Sequence, residues 1–435
     1  MKKTLIALAA FAAVAAQAEV RIYGSGDGAV RSQSAADSNS NALTYIDGGG
    51  IVQSNKLGFD GSEAIDGGLK ASFRLESNLN FENGTVGGWS GQGSNASRFF
   101  DREAWVKLGD ANNSIGFGKQ YSPTFQIYCQ VDAIKCLGAN YFNSSSSVDQ
   151  GVNVLGKRWD QTIAYDYTSA MFTADLTFAN QQDTAGAFQG ATPGSTVNRA
   201  FGGNLTIKPM ESLMFAYGHQ QETVASPVAA TDTTKSGIND ATNVTAAANN
   251  YSGYSGPGQA FKTTLGLVGA STYNVIKDVV GLTYTVDPQW KILINQNQAR
   301  TSDATPEKLV NTGFGFQYTP SQKVEIAASY QRLKQSSAQS ALQKIATGYT
   351  GAGLAVNNNA DGKQLTMLSG YGKYFLSKTA YVYGEFDRTQ WDAGYTGSVT
   401  QGAFALIPNV SAKSTATITN PTAINAYSIG FNKSF

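Results

Sequence analysis

Val310-Asn-Thr-Gly-Phe-Gly-Phe-Gln-Tyr-Thr-Pro-Ser-Gln-Lys-Val-Glu-Ile-Ala-Ala-Ser-Tyr-Gln331 is the stretch that decides how this chain folds. Val310, Thr312, Phe314, Phe316 and Tyr318 alternate with Asn311, Gly313, Gly315 and Gln317. After Thr319-Pro320-Ser321-Gln322 the alternation resumes, with Val324, Ile326, Ala328 and Tyr330 set against Lys323, Glu325, Ser329 and Gln331. Successive side chains of an extended chain point to opposite faces, so each run is a strand with one apolar and one polar face. The linker between them has room only for a tight turn, which makes the two strands an antiparallel pair.

Outward from this hairpin the pattern recurs about sixteen times. Ala71, Phe73 and Leu75 alternate with Lys70, Ser72, Arg74 and Glu76; Ile163, Tyr165 and Tyr167 face away from Thr162 and Asp166. The expected strands lie near 20–31, 51–61, 67–80, 97–109, 113–120, 159–168, 171–180, 198–208, 212–221, 275–287, 289–300, 308–319, 322–334, 362–376, 379–391 and 423–435. Short turns such as Asp110-Ala111-Asn112, Pro209-Met210-Glu211, Asp287-Pro288 and Ser377-Lys378 alternate with long polar stretches at 32–50, 81–96, 121–158, 222–274, 335–361 and 392–422. Short turns on one rim and long loops on the other belong to a closed transmembrane barrel more than to a sandwich. The stretch 222–274 leaves room for a further hairpin, with one strand near Phe261 to Val268.

Composition supports an all-β chain. Charged residues make up 14% of the 435 residues, and there are 47 Gly, 21 Tyr and 22 Phe. Residues 1–18 have the form of a cleaved signal peptide: Lys2 and Lys3, an apolar Thr4 to Ala15, then Ala16-Gln17-Ala18 before Glu19. The mature part, 19–435, is expected to be one barrel domain. Losing Lys2 and Lys3 takes 32 basic residues to 30 against 31 acidic, which gives no basic surplus for nucleic acid. No later apolar run reaches the ~20 residues of a membrane helix, whereas a membrane strand needs only ~9–11 alternating residues.

The ending Tyr427-Ser-Ile-Gly-Phe-Asn-Lys-Ser-Phe435 resembles the terminal strand of outer-membrane proteins, with Phe435 as the signal read by the barrel-assembly machinery. Four further stretches look like the general porin family of Gram-negative bacteria, in its beta-proteobacterial and neisserial branch. They are Arg21-Ile-Tyr-Gly24; Lys56-Leu-Gly-Phe-Asp-Gly-Ser-Glu63 with Gly67-Gly-Leu-Lys70; Arg102-Glu-Ala-Trp-Val-Lys-Leu-Gly109 with Ile115-Gly-Phe-Gly-Lys119; and Arg158-Trp-Asp-Gln-Thr-Ile-Ala-Tyr165. The resemblance implies an outer-membrane barrel of sixteen strands, usually a homotrimer in lipid. Its third long loop would fold inward, and small hydrophilic solutes and ions would diffuse through the water-filled lumen.

Selectivity in such a channel comes from charges at its narrowest point. The resemblance places Lys56, Arg102 and Arg158 on the wall opposite the inward loop. Alternation independently turns Lys56, Arg74 and Arg158 inward, while Arg102 rests on the resemblance alone. Each could instead be a solvated rim charge or one half of a salt bridge. Residues 121–157 contain no Glu, only Asp132 and Asp149 with Lys135 and Lys157, where better-known relatives carry an acidic Pro-Glu-Phe-Gly-Gly. Asp132 and Lys135 are therefore the expected loop charges, and the balance points to a weak anion preference.

Cys129 and Cys136, the only cysteines, lie in this loop of an exported chain, where a disulfide is expected ahead of a redox or metal site. The lone His219 shares a face with Leu213, Phe215 and Tyr217, which suits the interfacial girdle; no nucleophile context accompanies it, so no catalytic site, metal or cofactor is expected. Asp47-Gly-Gly-Gly50 lacks the strand–helix setting of a phosphate loop. A competing reading is an adhesin or solute-capturing receptor that uses loops 222–274 and 392–422.

Overall fold

The computed structural model describes residues 18–34, 42–81, 83–86, 99–136, 158–180, 199–225, 272–302, 308–336, 364–391 and 423–435. The expected leader up to Gln17 and the hairpin expected near Phe261 to Val268 lie outside the described residues.

The strands run in chain order as β1 (Ala18–Gln33), β2 (Leu43–Asp47), β3 (Lys56–Ile65), β4 (Leu69–Asn78), β5 (Glu103–Gly109), β6 (Asn113–Tyr121), β7 (Arg158–Thr168), β8 (Phe172–Ala179) and β9 (Arg199–Met210). The series continues with β10 (Leu213–Ala225), β11 (Thr272–Thr285), β12 (Trp290–Thr301), β13 (Lys308–Ser321), β14 (Val324–Ser336), β15 (Gln364–Ser377), β16 (Ala380–Trp391) and β17 (Ala423–Ser434). A helix, α1 (Pro123–Val131), stands in the connection between β6 and β7.

From β3 onward every strand pairs antiparallel with its successor, and β17 returns to β1 from Ser25↔Ser434 to Gln33↔Ala426. The lower half of β1 pairs with β3 and its upper half with β2, so β2 and β3 form one barrel strand interrupted at 48–55. The result is a closed antiparallel barrel of sixteen strands, which leaves no free sheet edge. The expected second strand, 51–61, is thus displaced. Pairing starts earlier, at Leu43, inside the stretch read as a loop, then breaks and restarts at Lys56.

The alternation sorts side chains as the sequence pattern requires. On β12, Leu293, Asn295 and Asn297 point inward and are buried, while Ile294 points outward and is 46% exposed. Phe117, Ile163, Leu176, Phe314 and Ile429 likewise lie on the outer surface. Near the short turn at 287–289, Trp290 stacks on Tyr318 with ring centroids 4.2 Å apart, where the aromatic girdle of a transmembrane barrel would lie. No helix among the described residues is long and apolar enough to cross a membrane.

Apolar packing inside the barrel is concentrated on the segments that fold into it; among the described residues a smaller wall cluster joins Trp159, Ala179 and Ala200. Ile127, Tyr128 and Val131 of α1 pack on Ala216 and Val279 of the wall. Burying an Ile or Val fully contributes about 1.5–3 kcal/mol, so a few such contacts hold the helix against a water-filled lumen. Gly281 makes the approach possible: a Cβ there would lie 2.5 Å from the Val131 side chain.

Candidate functional site

Helix α1 starts after Ser122 with Pro123 in its first turn, where the missing N–H costs no hydrogen bond. The wall supplies the bonds its ends lack. At the start, Thr124 donates from its backbone N–H and its hydroxyl to Gln220 Oε1 (3.2 and 2.6 Å). At the end, Asn295 Nδ2 donates to the Val131 carbonyl (3.1 Å) and Gln317 Nε2 to the Ala133 carbonyl (2.7 Å). A helix terminus leaves carbonyls unpaired, and the inward amides of β12 and β13 satisfy them.

Beyond α1 the chain turns sharply. Lys135 and Cys136 take left-handed backbone angles (φ 57° and 53°), unfavourable for both residue types. Two restraints hold them there. A disulfide joins Cys129 to Cys136, with Cα atoms 5.0 Å apart. The Asp132 carboxylate accepts the Cys136 N–H (3.1 Å) through Oδ2, and Ser329 Oγ donates to its Oδ1 (3.3 Å).

Asp132 is consequently fully buried against β14 and does not face the lumen. Burial pushes its carboxyl up to about 6, against the pull of its hydrogen bonds. Lys135 remains 45% exposed and sits 3.5 Å from Glu325, which also holds Lys373 at 3.2 Å and accepts the Tyr371 hydroxyl at 2.8 Å. The two loop residues singled out by sequence therefore belong to the docking surface. Their local pattern could not show which side of the turn the wall would cover.

Across the lumen, on β1 and β3–β7, the basic residues come together. Lys56 Nζ lies 3.0 Å from Glu76, which also accepts the Tyr23 hydroxyl at 2.9 Å and pairs with Arg102. Arg74 reaches Glu103 (3.4 Å) and Asp60 (3.7 Å), and Arg21 pairs with Asp60 at 2.7 Å. Arg102 precedes β5 in a bend, which is why alternation left its face undetermined; its Nη1 donates to Asn78 (2.8 Å).

Tyr121 binds the two upper arginines into one unit. Its hydroxyl accepts from Arg102 (3.1 Å) and from Arg158 (2.7 Å), and the Arg158 guanidinium lies 4.5 Å above its ring. The same ring stacks on Phe125 of α1, centroids 5.2 Å apart, which couples the basic wall to the inward helix. No carboxylate among the described residues pairs with Arg158. Tyr121 and Glu76 were not among the sequence candidates, although Glu76 lies on the inward face that alternation assigned to Arg74.

Exposure decides which charges an ion in the lumen meets. The side chains of Arg21, Lys56 and Arg74 are 64%, 26% and 36% exposed, against 18%, 2% and 10% for Asp60, Glu76 and Glu103. The acids lie beneath the bases. Lys107–Asp166, nearer the short-turn rim, and Lys119–Asp160, at the long-loop end of β6 and β7 two residues from Tyr121 and Arg158, are evenly exposed pairs and add little net field.

His219 takes the outward position expected of it, in line with Phe215 and Tyr217, with its Nδ1 2.8 Å from Asp278. Phe435 exchanges backbone hydrogen bonds with Gly24 (3.0 and 3.1 Å), and its ring covers that glycine.

The family described as Gram-negative porin matches residues 4–394. The outer membrane porin protein 32 of Delftia acidovorans is 30% identical over 173 residues, 38% of this chain and 45% of that protein. The matched part thus spans about half the length of that curated relative. Among solved structures, the anion-selective porin from Comamonas acidovorans superposes with a TM-score of 0.64 at 17% identity, over 96% of this chain and all of that one. The trimer form of OmpT, an outer membrane protein of Vibrio cholerae, gives 0.58 at 13% identity, over 96% of this chain and all of that one. At these identities the structural likeness speaks for the fold.

Proposed function

The chain belongs to the Gram-negative porin family of the outer membrane, and on that premise we propose that it is a passive diffusion channel with a weak anion preference. The observation that carries the preference is the layering of the wall, with Lys56 and Arg74 towards the water and Glu76 and Glu103 behind them. Arg158 adds a cation that no carboxylate among the described residues pairs. Asp132, the loop acid that could have opposed it, is turned into the barrel wall. The solved relative from Comamonas acidovorans is an anion-selective porin, which agrees with this sign.

Small hydrophilic solutes and inorganic ions are the substrates this lumen suits. A homotrimer is the proposed assembly, in keeping with the trimeric Vibrio structure, and the exposed Phe435 at the closing seam is the proposed signal to the assembly machinery. No catalytic, cofactor or metal role is assigned to any residue.

Reversal potentials in a salt gradient across a planar bilayer test the reading. A modest anion preference that fades as salt rises is expected, because the Debye length falls from about 10 Å at 0.1 M to 3 Å at 1 M. Strong cation selectivity would overturn the charge assignment, and an insulating barrel would overturn the channel itself.

A further inference from the structure

The interruption between β2 and β3 is built as carefully as the inward helix. Residues 48–55 leave the sheet and turn into the lumen, where Ile51 and Val52 are buried at 0% and 1% exposure. They pack in one apolar cluster with Ile134 from the far end of the α1 segment and with Ala327, Tyr371, Tyr381 and Tyr383 of the wall.

Polar groups of β1 hold the segment. Asp27 Oδ1 accepts the Ile51 N–H (3.0 Å) and the Tyr383 hydroxyl (2.6 Å), and Ser25 Oγ donates to the Ser54 carbonyl (2.7 Å). Asn55 bonds both the backbone N–H and the carbonyl of Asp27 through its side chain. The turn itself needs Gly50. Its φ is +96°, and a Cβ there would lie 2.4 Å from the Gln53 carbonyl.

Burial along β1 changes where this segment meets it. Arg21 near its start is exposed, whereas Ser25, Asp27, Arg31 and Gln33 above are all at or below 2%. Arg31 is enclosed with Glu385 (2.9 Å) and Asp387 (2.7 Å) of β16.

We propose that residues 48–55 are a second constriction element, which clasps the segment following α1 through Ile51, Val52 and Ile134. Together the two segments close the β14–β1 side of the lumen and confine permeation to the wall of Lys56, Arg102 and Arg158. The charges enclosed with Arg31 are thereby withheld from the permeation path. This rests on the channel reading above and adds a determinant of pore width and selectivity that lies outside the third loop.

The test uses the full-length barrel, with heat-modifiable gel migration as the check on folding. Ile51→Asn places an amide in the apolar clasp. It should raise single-channel conductance and move the reversal potential towards zero, while Ile51→Val should restore both to wild type. Gly50→Val should act like Ile51→Asn, through the backbone. Val52→Cys supplies a readout that does not need conduction: a small hydrophilic thiol reagent should label it far more slowly than Lys107→Cys on the open wall. Equal labelling of the two cysteines, or a folded Ile51→Asn channel of wild-type conductance and selectivity, would overturn the proposal. A folded wild-type barrel that does not conduct, with Val52→Cys still protected, would instead sink the channel reading and leave the clasp standing.

Discussion

The two sides of this lumen obey one folding rule and do opposite work. On β3–β7 and on β9–β15 alike, every second side chain points inward, and most of these are polar or small, with exceptions such as Val279, Leu293 and Met367. On the first side the inward groups are Lys56, Arg74, Glu76 and Arg158, which pair with one another, with Asp60 and Glu103, or with Tyr121, and keep their cations towards the water. On the second side the inward groups are Gln220, Asn295, Gln317 and Ser329, which are used up on the ends of α1 and on Asp132. Inward is therefore not the same as available. A strand pattern identifies the face, but only the inserted segments decide which part of that face a solute meets.

Charge reversal on the open wall should break the contrast most severely. Arg158→Glu replaces a cation that no described carboxylate pairs with an acid, and should swing the reversal potential towards cations. Arg102→Glu should do the same at a cost in stability of about 3–5 kcal/mol, because Glu76, buried beside it, loses a partner and gains a like charge. Wild-type selectivity in a folded Arg158→Glu channel would mean that ions do not pass this wall.

On the covered side the largest effect should follow Asp132 and pH. A buried carboxyl raised from 3.8 to about 6 binds its proton more tightly in the docked loop than in the free one. Docking is then strongest below pH 4 and weakens as pH rises through 6, by about 3 kcal/mol in all. Channel noise or protease cleavage of the loop should report this trend in wild type, and Asp132→Asn should flatten it. An opposite slope, or one unchanged in the variant, would show that Asp132 is not the group responsible.

Removing the disulfide should loosen the same loop somewhat less. Closing so short a loop is worth roughly 2.5 kcal/mol on the chain-entropy account. The double variant Cys129→Ser and Cys136→Ser should show more gating noise at nearly wild-type selectivity, since the exchange changes no charge. Unchanged noise would mean that the wall contacts alone hold the turn.

The smallest effect is expected at His219, outside the barrel. Its pair with Asp278 is partly exposed, so His219→Ala should alter stability by about 1 kcal/mol or less and leave the reversal potential where it was. A change in selectivity there would show that the outer surface influences the lumen.

Most of the barrel was legible because its signal is local. Period-two alternation needs only neighbouring residues, and the two runs of Val310 to Gln331 carry it on either side of one tight turn. The seam closed by Phe435, the inward Lys56, Arg74 and Arg158, and the outward His219 followed from the same rule or from resemblance. The displaced second strand did not. Gly48-Gly49-Gly50 reads as a loop in either case, and nothing nearby shows that the next two residues are buried against Ile134, more than 80 residues away.

By itself the sequence determined a β-barrel with a polar interior, an inward basic wall and two cysteines in one exported loop, because strand faces and short turns are encoded within a few residues. Tertiary structure decided the rest: that Asp132 is a buried anchor, that Tyr121 joins Arg102 to Arg158, and that residues 48–55 cross into the lumen. Each depends on contacts between segments far apart in the chain, where the direction of a side chain is set by the surface it meets and not by its neighbours in sequence.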